Sequence, residues 1–434
     1  MLNEIKHPQT NSNPHVVVIG AGFGGLYAVK NLAGRPFRIT IIDRSNHHLF
    51  QPLLYQVATA AISPGDIAQP IRHIFRQFKN VQVLMASAET IDLENRRVQL
   101  SDGFVTYDYL IVATGATHAY FGHDEWERVA PGLKSLEDAI EIRRMFLLAF
   151  EQAEKESDPK RREALMKFVI VGAGATGVEL AGTMADVARH ALSKEFRNID
   201  PTEAHVILLE GSPRVLPVYL PKLSESAKKQ LEQKGVEVRT NALVTKVEKG
   251  AVYIGDEKIE TESIFWAAGV AASSLGKSFG IPTDRSGRVK VNPDLTIEAH
   301  PEIYVIGDLA AVVDAEGKQV PGVAPAAIQM GQYVAKAIRA KLKGKSVKPF
   351  VYWDKGNFAT IGRSAAVGYV WKIKFSGFIA WMGWLLIHLF FLIGFRNRLF
   401  VFLQWAWTYL LFKMSARLIT YYDWCADHIA TRKP

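Results

Sequence analysis

Apolar residues along this chain fall into short β-branched runs punctuated by glycine, and the arrangement occurs twice. In "HVVVIGAGFGG", His15 to Gly25, the run Val16 to Ile19 predicts a buried strand, and "LYAVKNLA" beyond the glycines predicts a helix. "FRITIID" then predicts a second strand ending at Asp43. The pattern returns 152 residues later. "KFVIVGAGATGVELAG" carries a strand over Phe168 to Val171, a longer helical region follows, and "HVILLE" is a strand ending at Glu210. The downstream halves repeat as well. Alternating strands run from Val81 to a small-residue turn at Ala113-Thr114-Gly115, and again from Val236 to Ala267-Ala268-Gly269. A further apolar run, "EIYVIGDLAAV", places Asp308 after another buried strand.

The glycines give each half its chemistry. Gly20, Gly22 and Gly25 are spaced G-x-G-x-x-G, as are Gly172, Gly174 and Gly177. Such a loop turns tightly and lets a pyrophosphate approach the N-terminus of the next helix. Asp43 follows Gly25 by 18 residues, the position of an acid that binds ribose hydroxyls. Glu210 holds the same place in the second half, where a carboxylate repels a 2′-phosphate and favours NADH over NADPH. Strand, glycines, helix, strand and acid together predict an α/β chain with two Rossmann-like dinucleotide-binding domains. Two dinucleotide sites in one chain imply that one dinucleotide passes something to the other.

The C-terminal region breaks the pattern. From Phe378 to Phe412 there are only two charges, Arg396 and Arg398. Phe375 to Phe395 is uncharged for 21 residues, about 30 Å if wholly helical. Gly377, Gly383 and Gly394 weaken one continuous helix, Trp381 and Trp384 sit at its middle, and Arg396 and Arg398 close it. The pattern favours a pair of helices lying in one leaflet of a bilayer; a membrane-spanning helix and a tail packed within the protein or a homodimer are the competing readings.

Charge supports the bilayer. Lys336 to Lys374 holds ten Lys and Arg against the single acid Asp354, within a chain of net charge +9. A basic stretch beside a Trp-rich tail suits an anionic membrane surface better than nucleic acid. Residues 1–13 are polar and lack an apolar core, which reads as a flexible leader with no secretory signal. The only Cys is Cys425, so there is no intrachain disulfide, no dithiol redox pair and no Cys-based metal site; no metal is expected.

This layout resembles the two-dinucleotide-binding-domain flavoproteins of glutathione-reductase-like fold, over about residues 14–340. The resemblance implies a non-covalent FAD in the first domain, residues 14–120 and 290–340, and NADH as substrate in a second domain inserted into it, residues 121–289. Residues 341–434 would form the basic and apolar membrane-anchoring region. Carried over to this sequence, Gly20, Gly22, Phe23, Gly24, Gly25, Asp43, Ala88, Thr114, Gly115, Asp308 and Ala327 belong to FAD, and Gly172, Gly174, Gly177, Glu210 and Gly269 to NADH. Disulfide reductases, thioredoxin-reductase types and sulfide:quinone oxidoreductases need a Cys pair, which this chain lacks. "VPGVAPAAIQMGQYVAKAI", "WDKGNFATIGR" and the tail are very similar to type II NADH:quinone oxidoreductases. That family implies a peripheral, monotopic enzyme on the cytoplasmic face of the inner or plasma membrane. It would pass electrons from NADH through FAD to a membrane quinone without pumping protons. Its partners would be membrane lipid and quinone, with a homodimer left open and no nucleic acid. The rivals are a soluble-type NADH reductase with a protein acceptor and a membrane-bound NADH-sensing flavoprotein of little turnover.

Three side chains are candidates near the chemistry. Glu179, two residues past Gly177, is read in the first helical turn, where a helix dipole would stabilise it; in the family an acid here faces nicotinamide and flavin and acts in proton transfer. The family often carries A-Q-x-A-x-Q at the quinone entrance, where this chain has Ala324-Pro325-Ala326-Ala327-Ile328-Gln329. Pro325 replaces the first Gln, leaving Gln329, with Ala326, to meet the quinone, or Gln329 to bond loose backbone at the helix start. His388, alone on an apolar stretch, is a packed side chain or a proton donor to quinone. The aromatic, His-rich stretch His47 to Thr59 is read as a long loop lining a cavity.

Overall fold

The computed structural model describes residues 3–9, 12–314, 317–411 and 416–420; Cys425 lies outside them. The chain divides into two compact units. One comprises residues 1–49, 68–119 and 270–355, the other residues 50–67, 120–269 and 356–434.

The first unit is built on a six-stranded sheet. From one edge its strands are Thr296–Ile297, His300–Val305, Tyr109–Val112, His15–Ile19, Arg38–Asp43 and Val81–Met85. All neighbours are parallel except the edge pair Thr296–Ile297 and His300–Val305. Strands covered on both faces read as unbroken apolar runs, and Val16, Val17, Val18, Ile39, Ile41 and Ile42 have no exposed surface. A four-stranded sheet accompanies it, in the order Asn3–Glu4, Gly103–Thr106, Arg97–Leu100, Ala88–Asp92. The segment read as a flexible leader therefore contributes a strand: Asn3–Glu4 pairs in parallel with Gly103–Phe104, where a Cβ on Gly103 would lie 2.6 Å from the Asn3 carbonyl oxygen. Two helices, Phe23–Leu32 and Ala324–Lys341, pack tightly together. They meet backbone to backbone, because a Cβ on Gly331 would sit 2.2 Å from the Gly24 carbonyl oxygen.

The second unit carries a four-stranded parallel sheet in the order Val236–Thr240, His205–Glu210, Lys167–Val171, Ser263–Trp266. An antiparallel meander, Lys246–Glu248, Ala251–Ile254 and Glu257–Glu260, precedes the last of these strands. The stretch read as a loop after His47 is ordered: a turn at Gln51–Leu53 leads into a helix, Leu54–Ala58, buried throughout. That helix packs against Leu136–Lys155, whose N-terminus is closed by a Ser135/Asp138 capping box, and against Ala175–Asp186.

The C-terminal region opens with an antiparallel sheet, Asn357–Thr360, Ala366–Val370 and Ile373–Ser376. Two helices follow, Gly377–Phe391 and Phe395–Leu411. The expected break is present, with Gly394 at φ +89. Among the described residues, no helix is long and apolar enough to cross a membrane. The first tail helix packs on the small sheet through a buried face that includes Ala380 and Trp384, while Ile379, Leu386 and Phe390 are each more than 60% exposed. The second buries Val401 and exposes Phe400, Phe402, Leu403 and Trp407. Both helices thus keep an apolar side that the described residues leave uncovered.

The Gly24–Gly331 contact is a sensitive point. Gly331→Ala forces the two helices of the first unit apart and is expected to lower stability by about 1–3 kcal/mol. Gly65→Ala, at a helical position with no atom within 4 Å of the added Cβ, is the control and should be nearly neutral. Urea unfolding of the two variants checks this; equal stabilities would contradict it.

Candidate functional site

Each unit places a glycine loop at the C-terminal end of its central strand, and in each a carboxylate on the neighbouring strand holds it. Asp43 accepts the Ala21 N–H at 2.6 Å through Oδ2 and the Ser45 N–H at 2.8 Å through Oδ1. Glu210 repeats this, accepting the Ala173 N–H at 2.7 Å through Oε2 and the Ser212 N–H at 2.8 Å through Oε1. Hydrogen bonds to an ionised group are the strong kind. The glycines divide by role. A Cβ on Gly25 or Gly177 would sit 1.9 Å from the carbonyl oxygen of Gly20 or Gly172, so these serve packing. Gly22 and Gly174 have ordinary negative φ and no atom within 4 Å of an added Cβ. Neither backbone conformation nor packing asks for glycine there; close approach of a ligand does. Both are helix N-caps with no side-chain cap, leaving first-turn N–H groups for an anion.

Other residues read as FAD contacts share the first unit with this loop. Phe23 opens the helix and meets His48 edge to face, with ring centroids 5.2 Å apart. Gly24 faces Ile306 and the Ala327 carbonyl. Ala88 starts a strand, and Gly115 follows the Tyr109–Val112 strand with Thr114. Asp308 lies in the short turn Gly307–Leu309, and Gly322 leaves room beside its carboxylate. Two buried polar atoms here, Thr114 Oγ1 and His48 Nε2, meet no partner among the described residues. His48 is pushed down to about 4 by burial. Its Nδ1 lies 2.8 Å from the Ala21 carbonyl and must donate to it, so its neutral Nε2 is left as an acceptor. An open loop, a helix N-terminus and unpartnered polar atoms fit a bound dinucleotide.

The Gln329 amide is engaged within the protein. Its Nε2 donates to the Trp353 carbonyl and its Oε1 accepts the Trp353 N–H, both at 3.0 Å. This amide pins the segment after the helix. Pro325 sits in the first turn, where an N–H lacks an intrahelical acceptor and proline is tolerated. Ala326 is buried in the same turn. His388 belongs to the other unit.

In the second unit Gly172, Gly174, Gly177 and Glu210 gather at the strand ends, and Gly269 lies beyond the adjacent strand under the Phe121 ring. Glu179 does not lie in the first helical turn. The helix starts at Ala175, so Glu179 falls one turn in, and burial pushes its carboxyl up to about 8. A helix dipole would have lowered it. The Thr360 N–H points at Oε1 from 3.5 Å, and the Tyr55 and Tyr219 phenols are near enough to feel its charge. His388 stacks on Trp384 with centroids 4.1 Å apart, and its Nδ1 is 2.7 Å from the Trp384 carbonyl. Burial lowers it to about 4, so near neutral pH it is uncharged and presents an acceptor at Nε2. That makes it a poor source of a proton. Tyr55 and Gln56 lie in the aromatic, His-rich stretch read as lining a cavity and Thr360 in the family-like stretch "WDKGNFATIGR", whereas no signal in the sequence pointed to Thr183.

The family model of the pyridine nucleotide-disulphide oxidoreductases matches residues 14–331. Type II NADH:quinone oxidoreductase Ndh of Mycobacterium tuberculosis is 47% identical, with 93% of this chain and 90% of that protein aligned. A type II NADH:quinone oxidoreductase of Staphylococcus haemolyticus is 32% identical over 83% of this chain and 91% of its own. Among solved structures, NDH2 from Plasmodium falciparum in complex with NADH superimposes with a TM-score of 0.85, covering 94% of this chain and all of that one, at 19% identity. At that identity the likeness speaks for the fold alone.

Glu179 has a testable consequence for stability. Its folded pKa lies above the ordinary 4.5, so between about pH 4.5 and 8 the folded protein keeps a proton that the unfolded chain releases. Stability on this account is full below pH 4.5 and falls as pH rises toward 8. Glu179→Gln removes the effect. The variant should gain on the wild type by on the order of 2–4 kcal/mol at pH 8–9 and not at pH 4, measured by denaturant unfolding. A pH-independent difference would contradict the raised pKa.

Proposed function

The chain belongs to the type II NADH:quinone oxidoreductases, and from that membership we propose how its parts divide the reaction. The enzyme oxidises NADH and reduces quinone by way of FAD, without pumping protons. Bound FAD supplies the hydride acceptor and the electron donor. The FAD-binding region, residues 14–120 with 290–340, holds it through Gly20, Gly22, Gly25, Asp43, Thr114, Gly115 and Asp308. Phe23, Gly24, Ala88 and Ala327 shape the cradle.

The NADH-binding region, residues 121–289, takes the pyrophosphate over Gly172, Gly174 and Gly177. Gly269 leaves room further along the strand ends. Glu210 accepts the adenosine ribose hydroxyls with the lone pairs that Ala173 and Ser212 do not use. Glu179, a protonated carboxyl at neutral pH, holds a proton to give as quinone becomes quinol. Gln329 acts as a positioning residue that fixes the Trp353 segment, and Ala326 keeps the helix start narrow. His388 contributes an acceptor and a packing surface at the quinone side.

The tail helices dock in one leaflet on the cytoplasmic face of the inner or plasma membrane, and the basic stretch before them adds attraction to anionic headgroups. The observation that carries this reading is the uncovered apolar side of both tail helices. Each large side chain transferred from water contributes about 1.5–3 kcal/mol, enough for several to hold a protein at a bilayer. Quinones dissolve in that bilayer, so an enzyme acting on them gains by sitting there.

Changing Ile379, Leu386 and Phe390 together to Glu should leave flavin content intact, since all three are exposed. It should lower binding to anionic vesicles by at least about a hundredfold, read by flotation. Retention at the wild-type level would overturn the membrane reading. Glu210→Gln should narrow the preference for NADH over NADPH, read as the ratio of kcat/KM values. An unchanged ratio would remove Glu210 from the ribose site.

A further inference from the structure

One aromatic ring beside the second glycine loop belongs neither to the core nor to any role assigned above. Phe121 is 70% exposed. It sits in a tight turn in which the His123 N–H donates to the Tyr120 carbonyl at 3.1 Å. Both central residues of that turn have positive φ, +54 at Phe121 and +94 at Gly122. Such a turn suits Gly, Asn or Asp at its first central position, and a bulky side chain there is a backbone outlier. Local folding therefore does not ask for Phe at 121, and core packing does not account for a ring that mostly faces out. Outliers of this kind cluster at ligand clamps.

The turn stands on a packed base. Tyr120 stacks on Trp266 with ring centroids 5.3 Å apart, and its hydroxyl donates to the Ala130 carbonyl at 2.9 Å. Trp126 meets Trp266 edge to face at 5.5 Å and carries the His123 ring stacked on it at 4.2 Å. Tyr120, Trp126 and Trp266 are all buried. From that base the Phe121 ring reaches over Gly269, where a Cβ would lie 2.5 Å from its Cζ. Gly269 has φ +81 and follows the Ser263–Trp266 strand. Its neighbour Ala268 touches the glycine loop, since a Cβ on Gly172 would be 2.6 Å from the Ala268 Cα. An exposed ring is thus held at the end of the strand next to the loop.

The sheet order sets the direction of a dinucleotide bound here. The Lys167–Val171 strand, which leads into the glycine loop, lies between His205–Glu210 and Ser263–Trp266. With the adenosine ribose at Glu210 and the pyrophosphate over the loop, the remaining half passes over the end of Ser263–Trp266. We propose that Phe121 is a binding residue for that half, its ring flanking the nicotinamide of NADH and fixing where it lies over Gly269. The inference rests on the NADH site proposed above and adds the group that receives its ring end. A flat apolar ring beside another gains by offset or edge-on packing and by taking apolar surface out of water. Gly269 contributes by having no side chain, which leaves the strand end open to ring and ligand together.

The test uses the full-length, flavin-loaded protein in detergent, with Phe121→Ala and Phe121→Tyr. The probes are NAD⁺ and ADP-ribose, which lacks the nicotinamide, and calorimetry reads their binding without turnover. Steady-state kcat/KM is measured separately for NADH and quinone. In Phe121→Ala, NAD⁺ should bind about five- to tenfold more weakly, and kcat/KM for NADH should fall to match. ADP-ribose binding and kcat/KM for quinone should stay within about twofold of the wild type. Phe121→Tyr, which keeps the ring, should behave as the wild type does. Flavin content and thermal melting serve as the folding check. If Phe121→Ala fails it, Phe121→Leu, which keeps bulk without a flat ring, decides by the same comparison of the two probes. Equal weakening of NAD⁺ and ADP-ribose would make the ring a prop for the strand end and overturn the proposal. So would unchanged NAD⁺ binding, or tighter binding, which would mark the ring as a plug over the cradle. A wild-type protein that binds neither probe would overturn the NADH site itself.

Discussion

The fold turns on a carboxylate at the end of one strand that grips the glycine loop at the end of its neighbour. Asp43 does this for Ala21 and Glu210 for Ala173, at 2.6 and 2.7 Å. A charge-assisted hydrogen bond of this kind contributes roughly 1.5–3 kcal/mol. It fixes a loop that glycine alone would leave loose. It also fixes the direction of the helix that follows and brings Gly22 or Gly174 into the open, where a phosphate can reach first-turn N–H groups. Once that clamp is set twice, the chain has two dinucleotide cradles of the same design. The carboxylate keeps lone pairs to spare for a ribose, so one side chain serves folding and recognition together.

The second unit adds what a pair of cradles lacks. Glu179 sits on the helix that Gly174 opens, and its surroundings come from far along the chain, with Tyr55 from the Leu54–Ala58 helix and Thr360 from the C-terminal sheet. Burial by these partners keeps the carboxyl protonated near neutral pH. The helix that carries Tyr55 also meets the tail, where Trp405 donates to the next residue, Gln56. The tail is therefore packed into the second unit and also presents apolar surface outward. A group that holds a proton and a surface suited to lipid are parts of one packed structure.

Much of this was legible in the sequence because the signals were local. The runs ending at Asp43 and Glu210 are β-branched and bounded by glycine, and both proved to be strands with the acid at the expected end. The break in the tail was legible at Gly394, since glycine there takes a positive φ. What escaped depended on distant packing. Glu179 was placed in the first turn and expected to benefit from the helix dipole, but the helix begins at Ala175 and burial decides the pKa. Its aromatic and His-rich character made His47 to Thr59 look like a loop, although Leu54–Ala58 forms a helix held by two others. The sheet from Asn357 to Ser376 has no glycine motif and was not foreseen. Gln329 is a fitting hydrogen-bonding residue in sequence, and only the fold reveals that the Trp353 backbone takes both ends of its amide.

The central claim is that two cradles of one design in this chain hold two different dinucleotides, one of which reduces the other. An anaerobic titration of the purified protein with NADH, followed by release and identification of the flavin, tests it most directly. The account predicts one FAD per chain, freed by denaturation alone and bleached by one equivalent of NADH. A protein that releases no flavin, releases FMN, or keeps its flavin oxidised under excess NADH would contradict it.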